Sequence, residues 1–303
     1  MIIHKIKSYI ATCIGHIWIL IHRRRDRIIL ICPMGIGDAL FVGFFVDELS
    51  ETTGKKISVL CKRYTAEIFR AYDSVSEIYG DDRIAKWAGE YCVKNNKPRG
   101  KGYIYGHFTD MLKACEGGRY SSIPEYYYRD VLGLTGDMDI RYPDFDKNAD
   151  AGAVSEEISV SDKDIIISPY AGSSLALPDD FWNCLVKRLS GLGYDIYTNV
   201  NGTSETELEG TKPISLSLSG MAKTAPCAGA VICFRSGLCD LLACTKTRLI
   251  VINNLVSGTG EAWSDVWDVN HFSVNPVPVI ETAGRDTGVV MEDIVAAVEN
   301  QTH

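Results

Sequence analysis

The stretch Arg27-Ile-Ile-Leu-Ile-Cys-Pro-Met-Gly-Ile-Gly-Asp-Ala-Leu-Phe41 decides the fold. Ile28 to Cys32 is a short apolar run rich in β-branched residues, as expected of a strand buried on both faces of a parallel sheet. Pro33 ends it, because proline has no N–H to give a central ladder. Gly35 and Gly37 allow a tight turn and close approach of a ligand to the backbone. Asp38 then stands where an N-cap belongs, before an apolar helix predicted over Ala39 to Leu49. A carboxylate on a glycine turn at the carboxyl end of a central strand lies where open α/β sheets bind ligands. The turn is neither a full dinucleotide fingerprint nor a P-loop, since no Lys-Ser/Thr follows.

A chain of 303 residues suggests two domains and can bury a large core without disulfides. The net charge of −8 argues against nucleic acid as the main partner. The ten cysteines are scattered, with no CxxC pair, and read as reduced thiols of a cytosolic protein rather than a zinc or redox site. Residues 1–26 differ from the rest. Tyr9 to Ile21 is apolar, and Lys5, Lys7, His22, Arg23, Arg24, Arg25 and Arg27 flank it. The stretch is too short to span a bilayer and has no small-residue cleavage site. Two readings stand: a helix lying on an anionic membrane face, or a helix packed on the first domain.

Downstream, Ile57 to Cys61 and Val75 to Tyr79 read as strands, with a helix over Thr65 to Ala71 between them. This βαβαβ opening predicts a doubly wound sheet. Trp87 to Val93 reads as helix, Lys94 to Lys101 as a basic loop and Tyr103 to Tyr105 as a strand. Ser122 to Leu132 is a predicted helix carrying Tyr126, Tyr127 and Tyr128, either mixed core and surface or a platform for a sugar. Tyr142 to Ser155 reads as the linker. The pattern then restarts: strand Asp164 to Pro169, the turn Tyr170-Ala-Gly-Ser-Ser174, helix Asp180 to Leu192 and strand Tyr194 to Val200. A helix over Leu218 to Ala228, strand Ala230 to Phe234, turn Arg235-Ser-Gly237, helix Leu238 to Cys244 and strand Arg248 to Asn253 follow. A helix over Asp286 to Glu299 closes the chain.

Met34-Gly-Ile-Gly-Asp-Ala-Leu40 resembles the N-terminal Gly-Asp motif of the heptosyltransferase-like glycosyltransferases, family 9. Ile166 to Ser174 resembles that family's second-domain strand and glycine turn, and Leu177-Pro-Asp-Asp-Phe-Trp182 its W-P-x-x-x-W helix start. Ser217 to Ala222, followed by Ala230 to Ala243, resembles its D-S-G-x-x-H-x-A-A donor loop. The resemblance implies an α/β chain of GT-B fold, with two Rossmann-like domains facing a cleft. They would comprise an acceptor-side domain over 27–150 and a donor-binding domain over 151–303, whose closing helix could cross back. It also implies transfer of a sugar from a nucleoside-diphosphate sugar to a hydroxyl of a cell-surface glycan or lipid-linked acceptor, as in lipopolysaccharide synthesis. The donor would be a substrate, and no cofactor is implied.

The sequence departs from the pattern where charge matters. Arg235 opens the donor loop where the family has Asp, and Asp240 takes the histidine position. Ala176 and Leu177 stand where a basic residue is expected. Arg235 is therefore a candidate to bind the diphosphate in place of the missing cation, its alternative being a salt bridge. Ser173, Ser236 and Gly237 offer backbone N–H groups, and Gly172 and Ser174 complete the turn. Asp240 would bond the donor ribose or sugar. Asp38 is the candidate general base, with Gly35 and Gly37 beside the acceptor and His107, near Asp110, able to touch it. One such carboxylate suggests inversion without a metal. Asp137-Met-Asp139 has DxD spacing but lies in a predicted loop. Two alternatives remain: a polysaccharide pyruvyl transferase, and a non-catalytic nucleotide-binding relative. Either enzyme would work in the cytoplasm at the inner face of the membrane.

Overall fold

The computed structural model describes residues 2–106, 118–148, 158–202 and 204–302. The chain divides into two compact units, Met1–Asp150 and Ala151–His303.

The first unit opens with helix α1 (Ile2–His22), then β1 (Arg27–Cys32), α2 (Ile36–Gly43), α3 (Val46–Thr53), β2 (Lys56–Cys61), α4 (Ala66–Arg70), β3 (Val75–Gly80) and α5 (Asp82–Lys94). Two short strands, β4 (Arg99–Gly100) and β5 (Tyr103–Tyr105), and helix α6 (Ile123–Tyr126) complete it. The strand order is β3-β2-β1-β5-β4, parallel except for β4. β1 is buried along its whole length, as its unbroken apolar run requires. The chain winds one way from β1 to β2 and β3, then returns to place β5 on the other side. The switch point is therefore the β1/β5 crevice, onto which the Gly35–Asp38 turn opens.

The expected helix Ala39 to Leu49 is two helices. Phe44 and Phe45 between them are both fully buried, and the break lets these neighbours face the same core. Close approach also fixes Gly43, where a Cβ would overlap the Tyr72 ring. Tyr142 to Ser155 is not all linker. Phe145 is buried, Arg141 pairs with Glu51, and the Tyr142 ring packs on Phe44 at 6.0 Å, so the first unit extends at least to the turn Phe145–Asn148.

α1 packs on α5. Gly15 rests on the Trp87 backbone, His16 stacks on Tyr91 at 4.1 Å, and Ile19 is fully buried. The packed reading thus holds for one face of the helix. The other face is apolar and open, with Tyr9 72%, Ile17 53% and Ile21 71% exposed. Among the described residues, no helix is long and apolar enough to cross a membrane. Arg27 leaves the basic flank, because it is the first residue of β1 and bonds Glu77 and Ser58 in the interior.

The second unit contains β6 (Asp164–Ser168), α7 (Asp179–Gly191), β7 (Asp195–Asn199), β8 (Lys212–Ile214), α8 (Leu218–Thr224), β9 (Ala230–Phe234), α9 (Gly237–Ala243), β10 (Leu249–Asn253), β11 (Val279–Glu281) and α10 (Thr287–Thr302). Its six strands run parallel in the order β11-β10-β9-β6-β7-β8, with the switch point at β6/β9. β8 and β11 are three-residue edge strands that the sequence pattern did not separate from loop. The helix predicted through Pro226 becomes 3-10 at Ala225, because proline cannot donate the interior helical bond. α10 packs on its own sheet, burying Val290, Ile294 and Val298 against Ile250 and Ile280.

Candidate functional site

In the first unit, Gly35 rather than Asp38 is the N-cap of α2. Asp38 is the third helical residue, and its Oδ2 accepts a hydrogen bond from the Gly35 N–H at 3.3 Å. A carboxylate at this position satisfies one orphan amide and suits the positive end of the helix. Gly35 has φ −83°, which any residue adopts, and a Cβ there would meet only Asp38 Oδ2 at 3.9 Å. The fold does not demand this glycine; the missing side chain leaves the backbone open at the mouth of the crevice.

The half-buried Asp38 has a partner from far along the chain. The Tyr127 hydroxyl donates to Oδ1 at 2.5 Å. Tyr127 begins a π-helical turn, Tyr127–Val131, a feature frequent at functional sites. Burial first, and then the Asp38 charge, push its phenol well above the ordinary tyrosine value, so it is a neutral donor. The next residue does likewise, the Tyr128 hydroxyl donating to Glu48 Oε1 at 2.6 Å. All three tyrosines are buried, which removes the sugar platform: phenols buried this deeply bond carboxylates and carbonyls instead. Sequence reasoning marked this triplet but could not pair it with Asp38 across so long a separation.

Next to the start of the Gly35–Asp38 turn lies a pocket of about 530 Å³, lined among others by Met34, Tyr105, the lysines Lys62, Lys86 and Lys94 and the carboxylates Asp82 and Glu90. Its exposed surface is mainly apolar. Burial, then Cys92, Cys32 and Asp38, raise the Tyr105 phenol, so the pocket wall feels the Asp38 charge. His107 and Asp110 lie outside the described residues.

In the second unit the two predicted turns meet. The hydroxyls of Ser173 and Ser174 both donate to the Arg235 carbonyl, at 3.0 and 3.1 Å. The Ser257 N–H bonds the Ser173 carbonyl at 2.9 Å. Gly172 faces open space, with nothing within 4 Å of where a Cβ would be. The Ser236 hydroxyl caps α9, which begins at Gly237, by accepting from the Cys239 N–H.

Arg235 and Asp240 differ from their expected roles. Arg235 is 3% exposed and pairs with Asp240 Oδ1 at 2.6 Å. It also donates to the Trp267 carbonyl at 2.9 Å and lies over the rings of Trp263 and Trp267. Burial opposes its charge, but Asp240, together with Cys239 and Cys233, more than offsets this, and its pKa ends above the ordinary value. The two positions singled out in the sequence thus form one buried ion pair. Asp240 faces Arg235, and the pair is buried within the second unit. The Arg235 side chain lines a pocket of about 170 Å³ with Asn253, Trp263, Trp267 and Glu281, over the carboxyl ends of β10 and β11.

With this geometry in view, solved structures place the chain. A glycosyl transferase family 9 protein from Veillonella parvula superposes with a TM-score of 0.55 at 15% identity, over 92% of this chain and 97% of that one. ADP-heptose LPS heptosyltransferase II of E. coli gives 0.58 at 12% identity, over 91% and 100%. The fold is that of the heptosyltransferases. A further E. coli heptosyltransferase, solved with ADP, gives 0.57 at 12% identity, over 90% and 99%. The heptosyltransferase fold therefore covers nearly the whole chain, in both units, and is of GT-B type. No protein-family model matches the sequence, and no curated protein matches it.

Proposed function

We propose that this protein is a glycosyltransferase that moves a sugar from a nucleoside-diphosphate sugar to the hydroxyl of an amphiphilic, lipid-linked glycan acceptor. The observation that carries the reading is Asp38: a half-buried carboxylate at a switch-point turn, gripped by a buried phenol, in a chain with the heptosyltransferase fold. Asp38 takes the proton of the acceptor hydroxyl as general base. The acceptor oxygen bonds the anomeric carbon, the carbon–oxygen bond to the diphosphate breaks, and the nucleoside diphosphate leaves. A single base acting in one displacement inverts the anomeric centre, and we propose that no metal takes part. The open turn at Gly172 to Ser174, with Ser236 and Gly237 across the β6/β9 switch point, is the place we assign to the diphosphate. The mainly apolar pocket beside Met34 and Tyr105 supports an acceptor with a lipid portion.

The same reading places the protein in the cytoplasm at the inner face of the cell membrane, with the outer face of α1 against anionic lipid and Arg23 and Arg25 beside it. Removing α1 would strip the cover from α5, so point substitutions are the clean test. Ile10→Ser, Ile17→Ser and Ile21→Ser together should weaken binding to phosphatidylserine vesicles by roughly 100-fold, at about 1 kcal/mol each for partly buried apolar groups. Equal vesicle binding by variant and parent would remove the membrane from this reading.

Asp38→Asn tests the chemistry. A thermal-shift panel of nucleoside diphosphates, with ADP first, selects the donor, and nucleoside diphosphate release measures turnover. The variant should keep its fold and donor affinity while turnover falls by about 100-fold or more, the usual range for a lost general base. Near-parental turnover would overturn the assignment.

A further inference from the structure

A carboxylate base has two oxygens, and its terminal torsion is broad. Something must fix the plane in which it meets the acceptor. Tyr127 is 1% exposed, and its hydroxyl reaches Asp38 Oδ1 at 2.5 Å. Its ring packs on Phe41 at 5.6 Å, one helical turn beyond Asp38 on the same face of α2. Ring and hydroxyl therefore dock together on α2. The phenol is held in register by packing and not only by the bond it makes.

The start of the π-helical turn at this residue sharpens the point. Consecutive α-helical residues diverge by about 100°. Here Tyr127 and Tyr128, side by side, reach carboxylates on two successive helices, Asp38 of α2 and Glu48 of α3. The two bonds are chemically alike, but their settings differ. Glu48 stands within the α2–α3 scaffold, whereas Asp38 stands at the switch-point turn.

We propose that Tyr127 is a positioning residue: its bond to Oδ1 of Asp38, together with the Gly35 N–H on Oδ2 at 3.3 Å, fixes the plane in which the carboxylate meets the acceptor hydroxyl. The proposal rests on the reading of Asp38 as base. A short hydrogen bond to a charged acceptor is among the stronger ones available to a side chain. Orientation fixed before the substrate arrives need not be supplied in the transition state.

The test is Tyr127→Phe, with Tyr128→Phe as its twin. Both remove one hydroxyl from a buried tyrosine bonded to a carboxylate, so a purely structural role predicts the same behaviour from both. Nucleoside diphosphate release, donor affinity and melting temperature are measured on each, with Asp38→Asn alongside. Tyr127→Phe should lower kcat by roughly 10- to 100-fold, the scale of a misplaced catalytic group, with KM and donor affinity unchanged. Tyr128→Phe should shift the melting temperature by a similar amount and leave kcat intact. A crystal structure of Tyr127→Phe should show the Asp38 carboxylate rotated. Unchanged kcat in Tyr127→Phe, with Asp38→Asn inactive, overturns the positioning role and leaves the base standing. Full turnover in Asp38→Asn overturns both.

Discussion

The two switch-point turns of this chain hold a carboxylate each, and treat it differently. Asp38, in the first unit, is half-buried and bonded by a neutral phenol. Asp240, in the second, is 4% exposed and locked to Arg235. Both stand near the start of a short helix that follows a buried strand. A tyrosine hydroxyl orients a carboxylate and leaves its charge in place; an arginine neutralises it. The first turn keeps a charge that chemistry can use. In the second, the two charges are paired with each other inside the fold.

The strongest way to break this comparison is to treat Arg235 as a ligand contact. Arg235→Met leaves the Asp240 carboxylate buried without its cation, which should destabilise the protein by about 3–5 kcal/mol. Arg235→Met combined with Asp240→Leu should recover most of that, because the desolvation cost of both ions disappears together. Asp38→Asn, by contrast, should cost about 1 kcal/mol or less, the scale of one modest hydrogen bond. Urea titrations of the variants check all of these. If Arg235→Met melts like the parent but no longer binds nucleoside diphosphate, its charge serves the ligand and the two turns are alike after all.

How far the sequence carries depends on the range of the forces involved. β1, β6, β9 and β10 were legible because strands buried on both faces need unbroken apolar runs. The edge strands β8 and β11 were not, since three residues leave no period to read. Asp38 was legible as a carboxylate on a turn, although the cap itself lies three residues earlier: Gly35 caps and Asp38 answers from inside the helix. Arg235 and Asp240 were each legible as departures, yet their pairing was not. A salt bridge five residues apart across a strand-to-helix turn follows from backbone geometry that no spacing rule encodes. Tyr127 was the hardest. It meets Asp38 only because the chain returns after the whole first sheet is built.

The smallest expected effect separates the two tyrosine–carboxylate bonds by titration. Burial first, then Glu48, push the Tyr128 phenol up to about 12. An unfolded tyrosine titrates near 10, so the native state holds this proton more tightly. The stabilisation is therefore complete below about pH 10 and is lost as pH rises through about 12. Tyr128→Phe should be less stable than the parent by about 1 kcal/mol at pH 8, the usual net worth of such a bond. That gap should narrow at pH 11, because the parent alone gives up this contribution there. Subtracting the two variants' urea midpoints cancels every other titrating group. A gap of constant size from pH 8 to pH 11 would mean that Glu48 does not hold the Tyr128 proton. The structural twin, against which Tyr127 is compared, would then be lost.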